Sequence, residues 1–162
     1  MQSLKPIGQR LACVALLSVM AGGCAHFQKQ PTTTVRIHEQ EDNSLPEGRT
    51  MPVVLPDVGL KLSISPFAAL SERDVQSAEI AQTAGGAAIL LRFGIHGTMA
   101  LDEITTRCRG KYLVVVLNGR PVTAWLVDKR ITTGQFLLIG DFTDAEAQKA
   151  VDELNQLAAQ SK

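Results

Sequence analysis

The carboxylates of residues 139–157 form the densest group of side chains that could perform acid–base chemistry. This segment reads IGDFTDAEAQKAVDELNQL. Two carboxylates whose environments push their pKa values apart can act as general acid and general base. Thr143 and Glu146, however, form a T-x-x-E capping box, and a helix dipole favours acidic residues in the first turn. Asp152 and Glu153 are expected to face solvent, so we interpret the cluster as a helix start and not as an active site.

Other candidates for catalysis or metal binding are scattered along the chain. His26 and His38 lie in a polar segment and His96 in a glycine-flanked loop, which is not the spacing of a zinc site. The segment GGAAI lacks the spacing of a dinucleotide site, and no serine lies in a nucleophile elbow. Cys108 could be a reactive thiol, but we favour a small buried residue near a helix end. The sequence therefore predicts no catalytic residue, no metal, no cofactor and no enzyme.

The composition indicates one folded domain with extensions. The chain has 162 residues, 45% of them hydrophobic, and its 16 basic residues balance 16 acidic ones. This length fits a single domain, and the apolar fraction is sufficient for a packed core. No basic stripe with interleaved aromatic residues is present, so the sequence predicts no nucleic acid partner.

The N-terminus has the pattern of a bacterial lipoprotein signal. Lys5 and Arg10 precede the short apolar stretch LACVALLSVMAGG, and MAGGC resembles the lipobox of the lipoprotein signal peptidase. We predict a signal peptide over residues 1–23 and lipidation of Cys24, whose acyl chains would hold the protein on a membrane facing the periplasm. The alternative is an ordinary secretory signal with a chance cysteine. Ala25 follows Cys24, and in this the chain resembles lipoproteins sorted to the outer membrane, which lack an aspartate there. The outer membrane is therefore the expected location in a Gram-negative cell.

The segment after the predicted lipidation site reads as a linker. Residues 24–50 are polar, with a threonine run, two prolines and several acids, a composition typical of a flexible tether. Val35 and Ile37 alternate with polar neighbours and could add an edge strand. We expect the folded domain to occupy residues 51–160.

The folded part combines strand and helix patterns. The runs MPVVL, GLKLSIS, AAILLRF and QFLLI predict strands, and KYLVVVLNGRPVTAWLV predicts a hairpin that turns at Asn118 and Gly119. Helices are predicted over LSERDVQSAEIAQTAGG, capped by Ser71, over GTMALDEITTRCRG, capped by Thr98, and after Thr143. The folded part is therefore predicted to contain both strands and helices.

Trp125 and Arg120 are the residues that suggest a binding site. Both belong to the second strand of the predicted hairpin, and Arg120 lies beside the turn. Alternation along the strand leaves the direction of the Trp125 side chain open. A buried ring would belong to the core, whereas an exposed ring would be an anchor of the kind enriched at protein interfaces. We take both residues as candidates for partner binding.

The segment from Gly110 to residue 158 resembles the head subdomain of the first periplasmic domain of SecD, part of the SecDF protein-export machinery. The shared features run in order: Gly110 before a strand, VLNGRPV at the hairpin, ITTG ending at Gly134, and IGDFTDAEA leading into the last helix. Thr123–Leu126 departs from the Ser-Ala-Pro-like stretch that is usual there. The resemblance implies an α+β fold with ferredoxin-like character, a single compact domain in which helices pack on a mostly antiparallel sheet. It also implies a role in contacting extended polypeptide.

Two hypotheses about function follow. The first is a lipid-anchored, non-enzymatic protein-binding module of the bacterial envelope, whose partner is an exported polypeptide or an envelope-assembly component. Its contact would be a sheet edge or an exposed face carrying Trp125, through backbone pairing or an aromatic anchor. The alternative is an accessory subunit of a membrane translocase or transporter complex.

Overall fold

The computed structural model describes residues 32–41, 49–55, 59–140 and 142–161. The predicted signal peptide, Cys24 and His26 lie outside these residues. The strands are β1 (Val35–Glu39), β2 (Met51–Leu55), β3 (Leu60–Ile64), β4 (Leu70–Ser71), β5 (Val75–Thr83), β6 (Gly86–Phe93), β7 (Tyr112–Leu117), β8 (Arg120–Leu126) and β9 (Gln135–Leu138). The helices are α1 (Ile95–Arg107) and α2 (Asp144–Gln160), and one 3₁₀ turn covers Glu72–Asp74.

Within the described residues, three antiparallel sheets and two helices form an α+β fold, as predicted. Sheet A has the strand order β4-β1-β7-β8, sheet B is the hairpin β2-β3, and sheet C has the order β5-β6-β9. The predicted hairpin is present as β7 and β8. At its turn, Asn118 and Gly119 have φ values of 51° and 80°. These are the left-handed values that a type I′ turn requires.

The main core joins sheets A and C to both helices. Its fully buried side chains include Leu113 from sheet A, Leu91 from sheet C, Leu101 from α1 and Leu154 from α2. A smaller cluster around Val114 packs sheet B against the opposite face of sheet A. Because both faces of β7 are covered, its sequence YLVVVL is continuously apolar and does not alternate. Neither of the described helices is long and apolar enough to cross a membrane.

Strand β1 corrects the prediction that residues 24–50 form a flexible tether. It lies between β4 and β7 in the interior of sheet A, not at an edge, and pairs with β7 along all 5 of its residues. The side chains of Val35 and Ile37 are each 1% exposed. The alternation in the sequence thus carries two apolar side chains into the main core. The fold therefore includes β1 and does not start at residue 51.

The helix predicted to begin at Ser71 is wrong. Ser71 does cap a helical turn, and its N–H donates to Asp74 Oδ2 at 2.8 Å, but that turn has only 3 residues. Val75–Thr83 then forms β5, which pairs with β6 and directs Ala78 and Ile80 toward the main core. The apolar strand β6 needs an antiparallel neighbour to satisfy its backbone groups, and this pairing overrides the helical pattern.

Helix α2 begins at the predicted capping box. The Thr143 N–H donates to Glu146 Oε2 at 2.7 Å, and the Glu146 N–H donates to Thr143 Oγ1 at 3.2 Å. Ala147, Ala150 and the apolar residues that follow at helical spacing are buried in the main core. The acidic residues at the start of this segment therefore serve to begin a helix.

Glu153 corrects the prediction that this side chain faces solvent. Its Oε2 accepts hydrogen bonds from the N–H and the hydroxyl of Thr33, both at 2.8 Å, and from the N–H of Thr32 at 3.0 Å. The Thr33 hydroxyl bond lowers the pKa of the carboxyl below its ordinary value, and burial opposes this only in part. Glu153 thus attaches the segment that enters β1 to the side of α2.

We expect Glu153→Gln to lower the free energy of unfolding by about 2 kcal/mol at pH 7, because hydrogen bonds to charged groups each contribute about 1.5–3 kcal/mol. The folded-state pKa is below the ordinary value of 4.5, so this stabilisation is present above pH 4.5 and is lost as the pH falls through the folded pKa. Urea unfolding from pH 7 to pH 3 should show the wild-type and variant stabilities converging in acid. Asp152→Asn, at an exposed neighbour, is the control, and a constant difference between wild type and Glu153→Gln would contradict the prediction.

Helix α1 begins after Gly94 and not at Thr98, so His96 lies in the helix and not in a loop. Thr98 instead packs against Gly134, the glycine of the ITTG segment. Gly134 has a φ of 66°, and a methyl group placed on it would overlap Thr98 Oγ1. Only glycine fits this position, since it combines a left-handed backbone with a close side-chain contact.

Gly134→Ala is expected to lower the free energy of unfolding by about 3 kcal/mol, because a left-handed Cβ costs about 1–2 kcal/mol and forced overpacking about 1–3 kcal/mol. Gly119→Ala is the matched control. Gly119 has a φ of 80° but open space around it, so only the backbone cost of about 1 kcal/mol applies. Urea unfolding of both variants measures the difference, and equal losses would mean that Thr98 moves aside without cost.

Candidate functional site

Trp125 lies on the edge strand β8 of sheet A, with its ring directed into the main core. Its position on β8 is opposite the fully buried Leu113 of β7. The ring packs edge-on against Phe136 of β9, with ring centroids 5.8 Å apart and an interplanar angle of 85°. The Trp125 side chain is partly buried, so the structure favours the core interpretation of the two that the sequence left open.

Arg120 lies on the same face of sheet A as Trp125, five residues away. Odd spacing along a strand normally puts two side chains on opposite faces. Here a β-bulge in the pairing of β7 with β8 restores a common face, and Arg120 lies opposite Leu117. The Arg120 side chain is 47% exposed, and its Nη2 lies 3.7 Å from Glu146 Oε1 at the start of α2. The structure thus places the two candidate residues at opposite ends of one strand.

Sequence reasoning missed three exposed apolar side chains near these residues. Leu126 is 46% exposed at the end of β8, Leu137 is 42% exposed on β9, and Ile139 directly after β9 is 50% exposed. β8 and β9 belong to different sheets, and among the described residues no backbone hydrogen bond joins them. The run QFLLI contains a signal for the exposed residues of β9. It is apolar at every position after Gln135, whereas the outward positions of a half-exposed strand are normally polar.

Cys108 is a buried residue at the end of α1, as favoured from the sequence. Its Sγ donates to Glu39 Oε2 at 3.0 Å. Burial, together with this hydrogen bond to a carboxylate, raises the pKa of the thiol to about 11. Burial would also raise the pKa of Glu39, but the hydrogen bonds from Arg107 and Cys108 outweigh it and lower that pKa. At neutral pH the thiol is therefore protonated and is a poor nucleophile.

The two histidines that the structure describes do not converge on a common site. His38 is buried in β1, and its Nδ1 lies 2.9 Å from the carbonyl oxygen of Ser65. His96 is exposed on α1. Within the described ranges, no group of three or more histidine, cysteine, aspartate or glutamate side chains is placed to hold a metal ion.

The sequence matches one protein family over residues 49–156. That family is the SecDF P1 head subdomain, and the match covers well over half of the chain. The chain belongs to the SecDF P1 head subdomain family. No curated protein matches it. The resemblance inferred from the hairpin and the last helix is thereby confirmed.

Two solved structures share the fold of this P1 head domain. One is described as a membrane component SecDF that enhances protein export. It is 20% identical with a TM-score of 0.59, over 78% of this chain and 63% of that chain. The other is SecDF in a super-membrane-facing form, 22% identical with a TM-score of 0.60, over 76% of this chain and 18% of that chain. The chain thus spans less than two thirds of either protein, and the likeness shows the fold.

The glycines of the P1 head motifs serve the fold. Gly110 and Gly119 adopt positive φ at the two ends of the hairpin, and Gly134 packs on Thr98. A methyl group on Gly140 would lie 2.6 Å from the carbonyl oxygen of Val122 on β8. These residues determine turns and close contacts, so the motifs carry no information on a reaction.

Trp125→Ala is expected to lower the free energy of unfolding by about 3 kcal/mol, the lower end for truncation of a buried aromatic residue, because the packing on Phe136 is lost. Leu126→Ala is the control at the exposed neighbour and should change stability by no more than about 0.5 kcal/mol. Denaturant unfolding measures both. Similar small losses would place the Trp125 ring outside the core and favour the exposed anchor.

Proposed function

We propose that this protein is a lipid-anchored, non-enzymatic module on the periplasmic side of the bacterial envelope that contacts extended polypeptide chains. Membership of the SecDF P1 head family supports a protein-export context, because the similar SecDF protein is described as enhancing export. Two observations support a non-enzymatic function. The Cys108 thiol is protonated and a poor nucleophile, and the buried His38 ring contacts the carbonyl oxygen of Ser65.

The exposed apolar side chains at the edges of β8 and β9 are the observation on which this proposal rests. Leu126, Leu137 and Ile139 place apolar surface beside strand edges, and a strand edge with apolar neighbours can pair with an extended chain. Arg120 at the start of β8 is partly exposed and lies 3.7 Å from Glu146. The Trp125 ring of β8 packs against Phe136 of β9 beneath this surface.

Lipid anchoring is supported by the sequence around Cys24. A positive region, a short apolar stretch and MAGGC precede or include this cysteine. Acyl chains contribute about 0.8 kcal/mol for each buried CH₂, so a multiply acylated terminus would stay on the membrane. Ala25 supports sorting to the outer membrane in a Gram-negative cell.

Site-specific photo-crosslinking in intact cells tests the proposed contact. A photoreactive residue is introduced at Arg120 and at Leu126, which avoids disturbing the half-buried Trp125 ring. The matched control position is Gln148, which is exposed on α2. We expect crosslinks to many exported chains from Arg120 and Leu126 and none from Gln148.

Two other results would contradict the proposal. A single crosslinked inner-membrane protein would favour the accessory subunit of a translocase or transporter. No crosslink from Arg120 or Leu126 would exclude this side of the domain as a contact. The Cys24→Ala variant, fractionated in parallel, should leave the membrane fraction, and its retention there would contradict the lipid anchor.

A further inference from the structure

Three of the four outer edges of sheets A and C are protected against pairing with another strand. Natural proteins protect such edges with proline, bulges, short strands or covering elements. The edge strand β4 has only 2 residues. β8 contains Pro121 and a bulge, and Gly140 lies against the carbonyl of Val122. Each of these features removes or covers groups that another backbone would use.

The edge of β5 is closed by a side chain of α2. Asn155 Oδ1 accepts the N–H of Ala78 at 2.9 Å, and Asn155 Nδ2 donates to the carbonyl of Ala78 at 2.9 Å. The amide therefore supplies the same donor and acceptor that a neighbouring strand would supply. This two-bond contact stops sheet C on the side of α2.

In the part of the chain that the structure describes, none of these features protects the fourth edge, β9. The N–H of Phe93 donates to the carbonyl of Gly134 at 2.9 Å, which sets the alternation along β9. Bonding residues alternate along an antiparallel strand, so Gln135 and Leu137 turn their backbone groups away from β6. Among the described residues, the backbone of Leu137 has no hydrogen-bond partner on that side. The run from Gln135 to Ile139 contains no charge, no proline and no bulge.

We propose that the open edge of β9 is the docking strand for an extended polypeptide, which adds to sheet C next to β9. This inference rests on the proposed function. It assigns backbone pairing with the polypeptide to β9 and not to β8. The outward N–H and C=O groups have the spacing that pairs with an extended backbone. Leu137 and Ile139, exposed on the same face two residues apart, favour apolar side chains at alternate positions of that partner.

A second copy of this chain is a poorer occupant of the same edge. Pairing two short β9 strands would bury far less than the roughly 1,200 Å² that stable protein interfaces need. A polypeptide that binds only transiently does not need an interface of that area. The edge is therefore suited to a weak, sequence-tolerant interaction carried by backbone bonds.

The test measures binding of a fluorescein-labelled peptide of alternating valine and threonine, with a lysine at each end, to the full chain purified in detergent micelles. Leu137→Lys should weaken binding about tenfold, a loss of about 1.4 kcal/mol. Val54→Lys is the matched control, since Val54 is 50% exposed but lies on β2 of sheet B. It should change the affinity by less than about twofold, or 0.4 kcal/mol. Leu126→Lys tests the other strand of the proposed contact, β8. In wild type, hydrogen exchange at the Leu137 amide should slow when the peptide binds.

The remaining outcomes separate this inference from the proposed function. Binding that is lost in Leu126→Lys but kept in Leu137→Lys would overturn the β9 assignment and leave polypeptide contact in place. Peptide binding with no change at the Leu137 amide would do the same. No peptide binding, together with no crosslinks to exported chains, would overturn both. A dimer in sedimentation that Leu137→Lys dissociates would assign the edge to a second copy instead.

Discussion

Strand β1 bonds to β4 on one side and to β7 on the other, and this double pairing decides how the rest of the domain assembles. It carries Val35 and Ile37 into the main core and places Glu39 beside Arg107 at the end of α1. The residues just before β1 are hydrogen-bonded to Glu153 of α2. One strand thus connects a sheet with both helices. It precedes residues 49–156, which match the P1 head family.

The sequence predicted correctly those elements whose neighbouring residues strongly favour one conformation. Asn118 with its following glycine tolerates the hairpin turn, and Thr143 with Glu146 starts α2. Ser71 makes the same kind of cap but begins a single turn, because the residues after it fit a strand as well as a helix and pairing with β6 decides between them. The interior position of β1 could not be predicted, since its partners β4 and β7 are distant in the sequence.

The candidate site was less predictable than the fold. Trp125 and its strand were found from the sequence, but the direction of the ring depends on a bulge that alternation does not reveal. The family motifs were recognised correctly, yet Gly134 and Gly140 in them serve close packing. Which edge remains open depends on contacts between distant elements, such as Asn155 on Ala78, and no local pattern encodes them.

The position of β1 has a mechanical consequence. A pulling force that reached the domain through the chain before Thr32 would act along β1 and load its bonds to β4 and β7 in shear. Bonds loaded in shear must break together, whereas those of a peripheral hairpin open one after another. The Glu153 contacts would yield first, and the sheet would resist until β1 slid as a whole. Forced unfolding is governed by the unfolding rate, so this geometry would slow the loss of the fold under tension.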